Sequence, residues 1–171
     1  MSARITIADA AAFHREAIEQ VAAAVELQDP ALWAVPRQPG KWSPAEIAQH
    51  LVIAYEPALA ELDGGAGFAL VLPWWKRTAL RWAVLPRILG GRFPKGAPAP
   101  KEARPRGGAA SPREAARALR ENAARFERRL VEAHAAGPVR LTHAYFGKLT
   151  APQILKLVAV HAMHHREQFP S

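Results

Sequence analysis

The chain contains no cysteine among its 171 residues. Disulfides, zinc ribbons, iron–sulfur clusters and thiolate nucleophiles are therefore excluded, and any bound metal must be held by nitrogen and oxygen ligands. The sequence also lacks an uninterrupted apolar run long enough to span a bilayer, and its first thirty residues carry acidic side chains rather than a secretory signal. We therefore expect a cytoplasmic protein with no transmembrane segment.

Acidic residues are relatively scarce, since 15 Asp and Glu stand against 23 Lys and Arg, which gives a formal net charge of +8. Such an excess is compatible with nucleic acid, a membrane surface or an anionic small molecule as partner. The basic residues are dispersed, however, without a nucleic-acid-binding motif and without the alternation of aromatic and basic residues typical of single-strand binders. The sequence therefore predicts no nucleic-acid partner and does not favour contact with a membrane surface.

Length and composition both favour one globular domain. Half of the residues are hydrophobic and 22% are charged, which is ordinary for a chain that can build a packed core. A chain of 171 residues fits the usual size of one compact domain. We predict a single domain over residues 1–171.

Four segments show the three-to-four spacing of apolar residues that is typical of an amphipathic helix. Three of them open with a capping box, in which Ser or Thr is followed three residues later by Glu or Gln, and Pro lies in the first turn. The four segments run over Ile7–Leu27, Ser43–Leu62, Ser111–Gly137 and Thr150–Phe169. The pattern predicts an all-α fold, a four-helix bundle. Pro57 falls inside the second helix and should either kink it or be accommodated by a local adjustment.

The connection between the second and third helices, Asp63–Ala110, is far longer than the two to eight residues usual between bundle helices. Its first half is basic, rich in tryptophan and apolar enough to predict one extra amphipathic helix. Its second half, Arg92–Gly108, is rich in Pro and Gly and predicts coil. The first half contains the apolar residues that we expect to pack onto the bundle or into a dimer interface, namely Trp74, Trp75, Trp82 and Leu85.

Histidine spacing points to a metal site. His161 and His165 lie one helical turn apart, so their imidazoles project from one face at a separation that suits chelation of one ion. His50 lies on the apolar side of the second helix and can supply a third nitrogen. Three neutral imidazoles suit zinc, nickel, cobalt, copper or ferrous iron, and they leave a coordination position open for water or substrate.

Other interpretations of these histidines remain open from the sequence. His164 is three residues from His161 and competes with His165 as the ligand. In the simplest alternative, the late histidines lie on the helix surface and His50 is an ordinary core residue. Glu46 lies one turn before His50 but is expected to be engaged in the capping box. Glu56 and Glu167 are the candidates to support the ligands or act as a general base. The remaining histidines have no partner at ligand spacing and are interpreted as structural or solvent-facing: His14, His134 and His143.

Two stretches, KWSPAEIAQHL and HAYFGKLTAPQILKLVAVHAMHHREQF, resemble the DinB-like superfamily of four-helix-bundle proteins. In that family a Trp-Ser pair precedes a helix with one metal histidine, and a late helix carries a His-x-x-x-His pair followed by Gln. The resemblance places these features at Trp42, His50, His161, His165 and Gln168. A Phe-Gly turn before the late helix is matched by residues 146 and 147.

The resemblance implies a function more loosely than it implies a fold. Members of this kind are described as zinc- or nickel-dependent proteins, including hydrolases and transferases that use low-molecular-weight thiols, and many form homodimers. A metal-dependent enzyme acting on an unidentified small molecule is therefore expected, with a non-enzymatic metal-binding or interaction bundle as the alternative. A long connection in such bundles can cover the metal pocket, which would give it a role in specificity.

Overall fold

The computed structural model describes residues 5–107 and 110–169 of the chain. Its first helix, α1 (Ile7–Glu26), is capped by the side chain of Thr6, which accepts a hydrogen bond from the Asp9 N–H. The buried side of α1 repeats at helical spacing, as the apolar pattern predicts. This helix packs against both later long helices.

The predicted second helix is divided into α2 (Pro44–Ile53) and α3 (Glu56–Leu62). The division falls just before Pro57, whose ring has no N–H to donate to the carbonyl one turn earlier and clashes with it. The kink, one of the two outcomes expected from this proline, is therefore confirmed. The capping box of α2 is also present, with the Ser43 N–H donating to the Glu46 carboxylate at 2.7 Å.

The long connection contains α4 (Trp74–Ala83), α5 (Leu85–Leu89) and a short 3-10 helix over Lys101–Ala103. The predicted extra helix is confirmed, although a break at Val84 divides it into two. Most of the second half of the connection is irregular, as predicted. Residues 108 and 109 lie outside the described part of the chain. Leu85 is buried, whereas Trp74, Trp75 and Trp82 are exposed in the single chain, so the expectation that they pack onto the bundle is wrong for the three tryptophans. Packing into a dimer interface stays a prediction.

After α6 (Pro112–Ala136) the chain forms a β-hairpin that the helical pattern did not predict. Its strands, β1 (Arg140–His143) and β2 (Gly147–Thr150), pair antiparallel, with His143 opposite Gly147. Gly147 adopts a φ of +68°, a conformation that residues with a Cβ seldom take. The Phe-Gly pair noted in the sequence thus lies at the turn of this hairpin. Strand β2 then leads directly into α7 (Ala151–Arg166).

The core is formed where α1 packs against α6 and α7 and where α2 packs against α6. The all-α four-helix architecture is confirmed, with α1, α2 plus α3, α6 and α7 as its helices and the small hairpin as an addition. None of the helices within the described residues is both long and apolar enough to cross a membrane. The largest fully buried apolar side chains are Phe126, Ile88, Leu119, Leu130, Leu149 and Leu155.

Candidate metal centre

Three histidine rings meet where α2 faces the last turns of α7. The Nε2 atom of His161 lies 3.2 Å from Nε2 of His50 and 3.0 Å from Nε2 of His165. One nitrogen from each residue lies within 4.8 Å of the other two. The structure therefore brings together the same three residues that the spacing selected, and it places His165 rather than His164 in the group.

Hydrogen bonds on the far side of two rings orient the nitrogens that converge. His50 donates its Nδ1–H to the carbonyl oxygen of Ala103 at 2.6 Å, and His165 donates its Nδ1–H to the Gln168 side-chain oxygen at 3.0 Å. Because a neutral imidazole carries one N–H, both rings then present an Nε2 lone pair to the centre. Such outer partners typically hold metal-binding histidines in the required tautomer.

Burial keeps these imidazoles neutral. It lowers the pKa of His165 to about 4, with a further contribution from His50, although the hydrogen bond to Gln168 acts in the opposite direction. Burial likewise lowers the pKa of His50, while its bond to Ala103 partly opposes the shift. The pKa of His161 is held well below its ordinary value by burial and then by the neighbouring histidines. Neutral imidazole is the form that binds a metal.

The donor set fits a metal ion better than it fits a hydrogen-bonded cluster. If His50 and His165 both present lone pairs, His161 can donate its single Nε2–H to only one of them, which leaves the other nitrogen without its bond. A tetrahedral ion at about 2.0–2.1 Å from each nitrogen would separate its ligands by about 3.3 Å. The two observed contacts of 3.0 and 3.2 Å are close to that separation.

Aromatic rings surround the centre. Trp42, from the residues just before α2, lies with its ring 5.0 Å from the His50 ring. Phe93 from the long connection lies 4.9 Å from the His161 ring and stacks at 5.2 Å on His164. The expectation that the connection covers this region is thus met by Phe93 and the Ala103 carbonyl. Sequence reasoning missed both, since neither belongs to a recognisable motif.

The three rings differ in exposure. His50 and His165 are buried, whereas His161 is half-buried. Next to Phe93 and His164 lies an open cleft of about 560 Å³, bordered by both apolar and charged side chains. The charged residues that border the cleft are Glu16, Arg92, Lys95, Arg166 and Glu167.

The carboxylates considered from the sequence have other positions. Glu46 belongs to the capping box of α2, and Glu56 forms an exposed ion pair with Arg106 at 2.9 Å. Glu167 is exposed beside the cleft. The centre that the structure shows is therefore built from histidine, without an assigned carboxylate base.

His14 is a structural residue with a polar environment of its own. Buried among α1, α6 and the end of α2, it donates its Nδ1–H to the Glu127 carboxylate and accepts from the Tyr55 hydroxyl, both at 2.9 Å. Burial would raise the pKa of Glu127, but hydrogen bonds from His14 and Arg15 hold it below its ordinary value. The sequence had offered no partner for His14, because these contacts join residues that are distant along the chain.

Comparison with known proteins defines the class. The sequence model of the DinB superfamily matches residues 12–169, and the chain belongs to this superfamily. Among solved structures it is similar to YfiT from Bacillus subtilis, with a TM-score of 0.58 and 14% sequence identity, over 99% of this chain and 86% of that one. YfiT is described as a probable metal-dependent hydrolase with an unusual four-helix bundle topology. A search among curated proteins found no match.

Proposed function

We propose that this protein binds one divalent transition metal, foremost zinc or nickel, through His50, His161 and His165 and is a metal-dependent enzyme. The observation that carries the proposal is the approach of His161 Nε2 to His165 Nε2 at 3.0 Å and to His50 Nε2 at 3.2 Å. Both partner rings are oriented by hydrogen bonds from their opposite nitrogens. When bound, such an ion supplies a Lewis acid that activates water, a thiol or a substrate carbonyl. The reaction is then hydrolysis or transfer to a low-molecular-weight thiol.

The protein orients the metal-binding imidazoles and leaves room for a small molecule nearby. The Ala103 carbonyl and the Gln168 side chain keep two imidazoles in the required tautomer, so little reorganisation is needed on binding. His161, the half-buried ligand, faces Phe93, and the cleft beyond this ring offers room for a small molecule. Three protein ligands are also the number found in catalytic zinc sites, where a fourth position stays open.

Metal content of tag-free protein, purified without added metal and measured by elemental analysis, tests the site. About one ion per chain is expected in the wild type. His50→Ala and His161→Ala should each lose it, while His164→Ala, a neighbouring histidine on the same helix, should retain it. An empty wild type, even after incubation with zinc or nickel, would refute the three-histidine centre.

The alternative, a metal-binding bundle without activity, is distinguished by the state of the fourth position. In cobalt-substituted protein, added azide or a small thiol should change the visible spectrum if that position is open. An unchanged spectrum, together with no hydrolysis or thiol transfer above that of the His161→Ala variant, would favour the non-enzymatic role.

A further inference from the structure

The outer face of α4 exposes large apolar side chains. Trp74, Trp75 and Trp82 are 72%, 55% and 82% exposed, and Leu70 and Val71 before the helix are about half exposed. Large aromatic residues are seldom left in water in such numbers unless they contact a partner or a membrane. We refer to these five residues as the tryptophan surface.

The orientation of α4 is set by its polar side rather than by its apolar one. Arg81 donates to the backbone carbonyls of Phe146 and Lys148 at the end of the β-hairpin, at 3.0 and 2.6 Å. Leu80, the neighbouring residue, packs against the core. The helix is therefore held to the body through Arg81 and Leu80, which turns its tryptophans outward.

The segment that carries this surface has charges of one sign. Between Asp63 and Glu102 the sequence contains no acidic residue. Lys76 lies beside the tryptophan surface, because its Nζ is 5.1 Å from the centre of the Trp75 ring. The cations of this segment are Lys76, Arg77, Arg81, Arg87, Arg92, Lys95 and Lys101.

This charge argues against a second copy as the occupant. In a two-fold interface through α4, the same cations would face one another, and the segment offers no carboxylate to pair with them. An anionic lipid surface complements both properties. Tryptophan rings favour the depth of lipid headgroups, and nearby Lys and Arg attract anionic lipids.

We propose that α4 is a membrane-surface anchor, with the tryptophan surface inserted at headgroup level of an anionic bilayer and Lys76 near the lipid charges. The sequence did not favour such contact, because it predicted these tryptophans to be packed against protein. The proposal is independent of the metal site and of the reaction proposed there.

Vesicle binding tests the anchor, using the full metal-loaded chain and vesicles of phosphatidylcholine with or without phosphatidylglycerol. Binding to the anionic vesicles is expected, with a blue shift of tryptophan fluorescence and weakening at high salt. Trp74→Ala with Trp82→Ala should reduce binding at least tenfold. The matched control, Leu27→Ala with Leu32→Ala, removes exposed apolar side chains elsewhere and should leave binding unchanged.

The electrostatic part has its own pair of variants. Lys76→Gln should weaken binding about fivefold, the equivalent of about 1 kcal/mol for one cation near the surface. Arg125→Gln, which removes an exposed cation from α6, should have little effect. Circular dichroism would establish that each variant is folded.

Three results would overturn the proposal. The first is no binding to anionic vesicles at low salt. The second is equal binding to vesicles of phosphatidylcholine alone. The third is a dimer in analytical ultracentrifugation that Trp74→Ala with Trp82→Ala dissociates, since the occupant of the tryptophan surface would then be a second copy.

Discussion

At the residue scale, the centre depends on what lies behind each imidazole as much as on the imidazoles themselves. His165 keeps its Nε2 directed at the other two rings because Gln168 accepts from the opposite nitrogen, one turn further on. Gln168 is thus a positioning residue, and it follows the His-x-x-x-His pair as in the family pattern. Its contribution can be measured separately from that of the ligands.

Gln168→Ala should weaken metal binding by about 10- to 100-fold, because the outer hydrogen bond that orients His165 is lost. Competition with a chromophoric chelator measures the dissociation constant. Gln20→Ala, which removes an exposed glutamine from α1, serves as control and should bind metal as the wild type does. Unchanged affinity in Gln168→Ala would show that this contact does not orient the ligand.

Tyr55→Phe should lower the free energy of unfolding by about 1–3 kcal/mol, since it leaves the buried Nε2 of His14 without its donor. Tyr145→Phe removes a hydroxyl that donates to the Pro98 carbonyl at the surface and should change stability by less than about 0.5 kcal/mol. Urea unfolding compares the two. Equal losses would mean that the His14 network adds nothing specific, and metal content should be unaffected in both.

At the element scale, Glu61 connects α3 to the hairpin that precedes α7 through hydrogen bonds and an ion pair. Its carboxylate accepts from the Thr142 N–H at 2.7 Å and from the Thr142 hydroxyl at 2.8 Å, and it pairs with Lys148. The backbone at Gly67 lies so close to the Glu61 side chain that a Cβ at position 67 would be 2.3 Å from a carboxylate oxygen of Glu61. A side chain at position 67 would therefore disturb this junction.

Stability should depend on pH through Glu61. Burial alone would raise the pKa of its carboxyl, but the bonds from Lys148 and Thr142 outweigh burial and hold the pKa below 4.5. The unfolded chain consequently takes up this proton first as the pH falls. The stabilisation by Glu61 is present above pH 4.5 and is lost as the pH falls through the folded-state pKa.

Glu61→Gln should cost about 1.5 kcal/mol at pH 7, as expected for a hydrogen bond to a charged group, and should make stability less sensitive to acid below pH 4.5. Thermal unfolding, followed at pH 7 and at several pH values below 4.5, measures both the loss of stability and its dependence on pH. Glu56→Gln, on the same helix, breaks only an exposed pair with Arg106 and should cost less than about 1 kcal/mol. If both variants kept the acid slope of the wild type, Glu61 would not be its source.

At the scale of the whole molecule, the centre links α2 to α7, two helices far apart in sequence. A ligand that binds only the folded state stabilises it by mass action. The proposed metal should therefore stabilise the entire bundle, in addition to its role in the proposed reaction.

Removing the metal with EDTA should lower the melting temperature by about 5–10 °C. The estimate follows from about 2.7 kcal/mol at a free metal concentration one hundred times the dissociation constant, and from the size of the chain. Differential scanning calorimetry measures the shift, and readdition of zinc should reverse it. His50→Ala should show no shift with EDTA; the same shift in that variant would place the stabilising ion elsewhere.

Much of the fold followed from local signals. The capping boxes at Ser43, Ser111 and Thr150 and the kink at Pro57 are properties of a few adjacent residues, so the sequence could specify them. The pairing of His161 with His165 is likewise local, because one helical turn separates them. A cytoplasmic location and a homodimer stay predictions.

The sequence by itself determined the long helices of the bundle and the one-turn spacing of His161 and His165, because both depend on short-range spacing. The absence of cysteine determined that any metal ligands are nitrogen or oxygen atoms. Only the tertiary structure decided that Ala103 and Phe93 meet these histidines, because long-range contacts leave no periodic signal. It alone decided that α4 is held through Arg81 and turns its tryptophans outward. An amphipathic pattern shows that a helix has two faces, but the contacts made by its neighbours decide which one is buried.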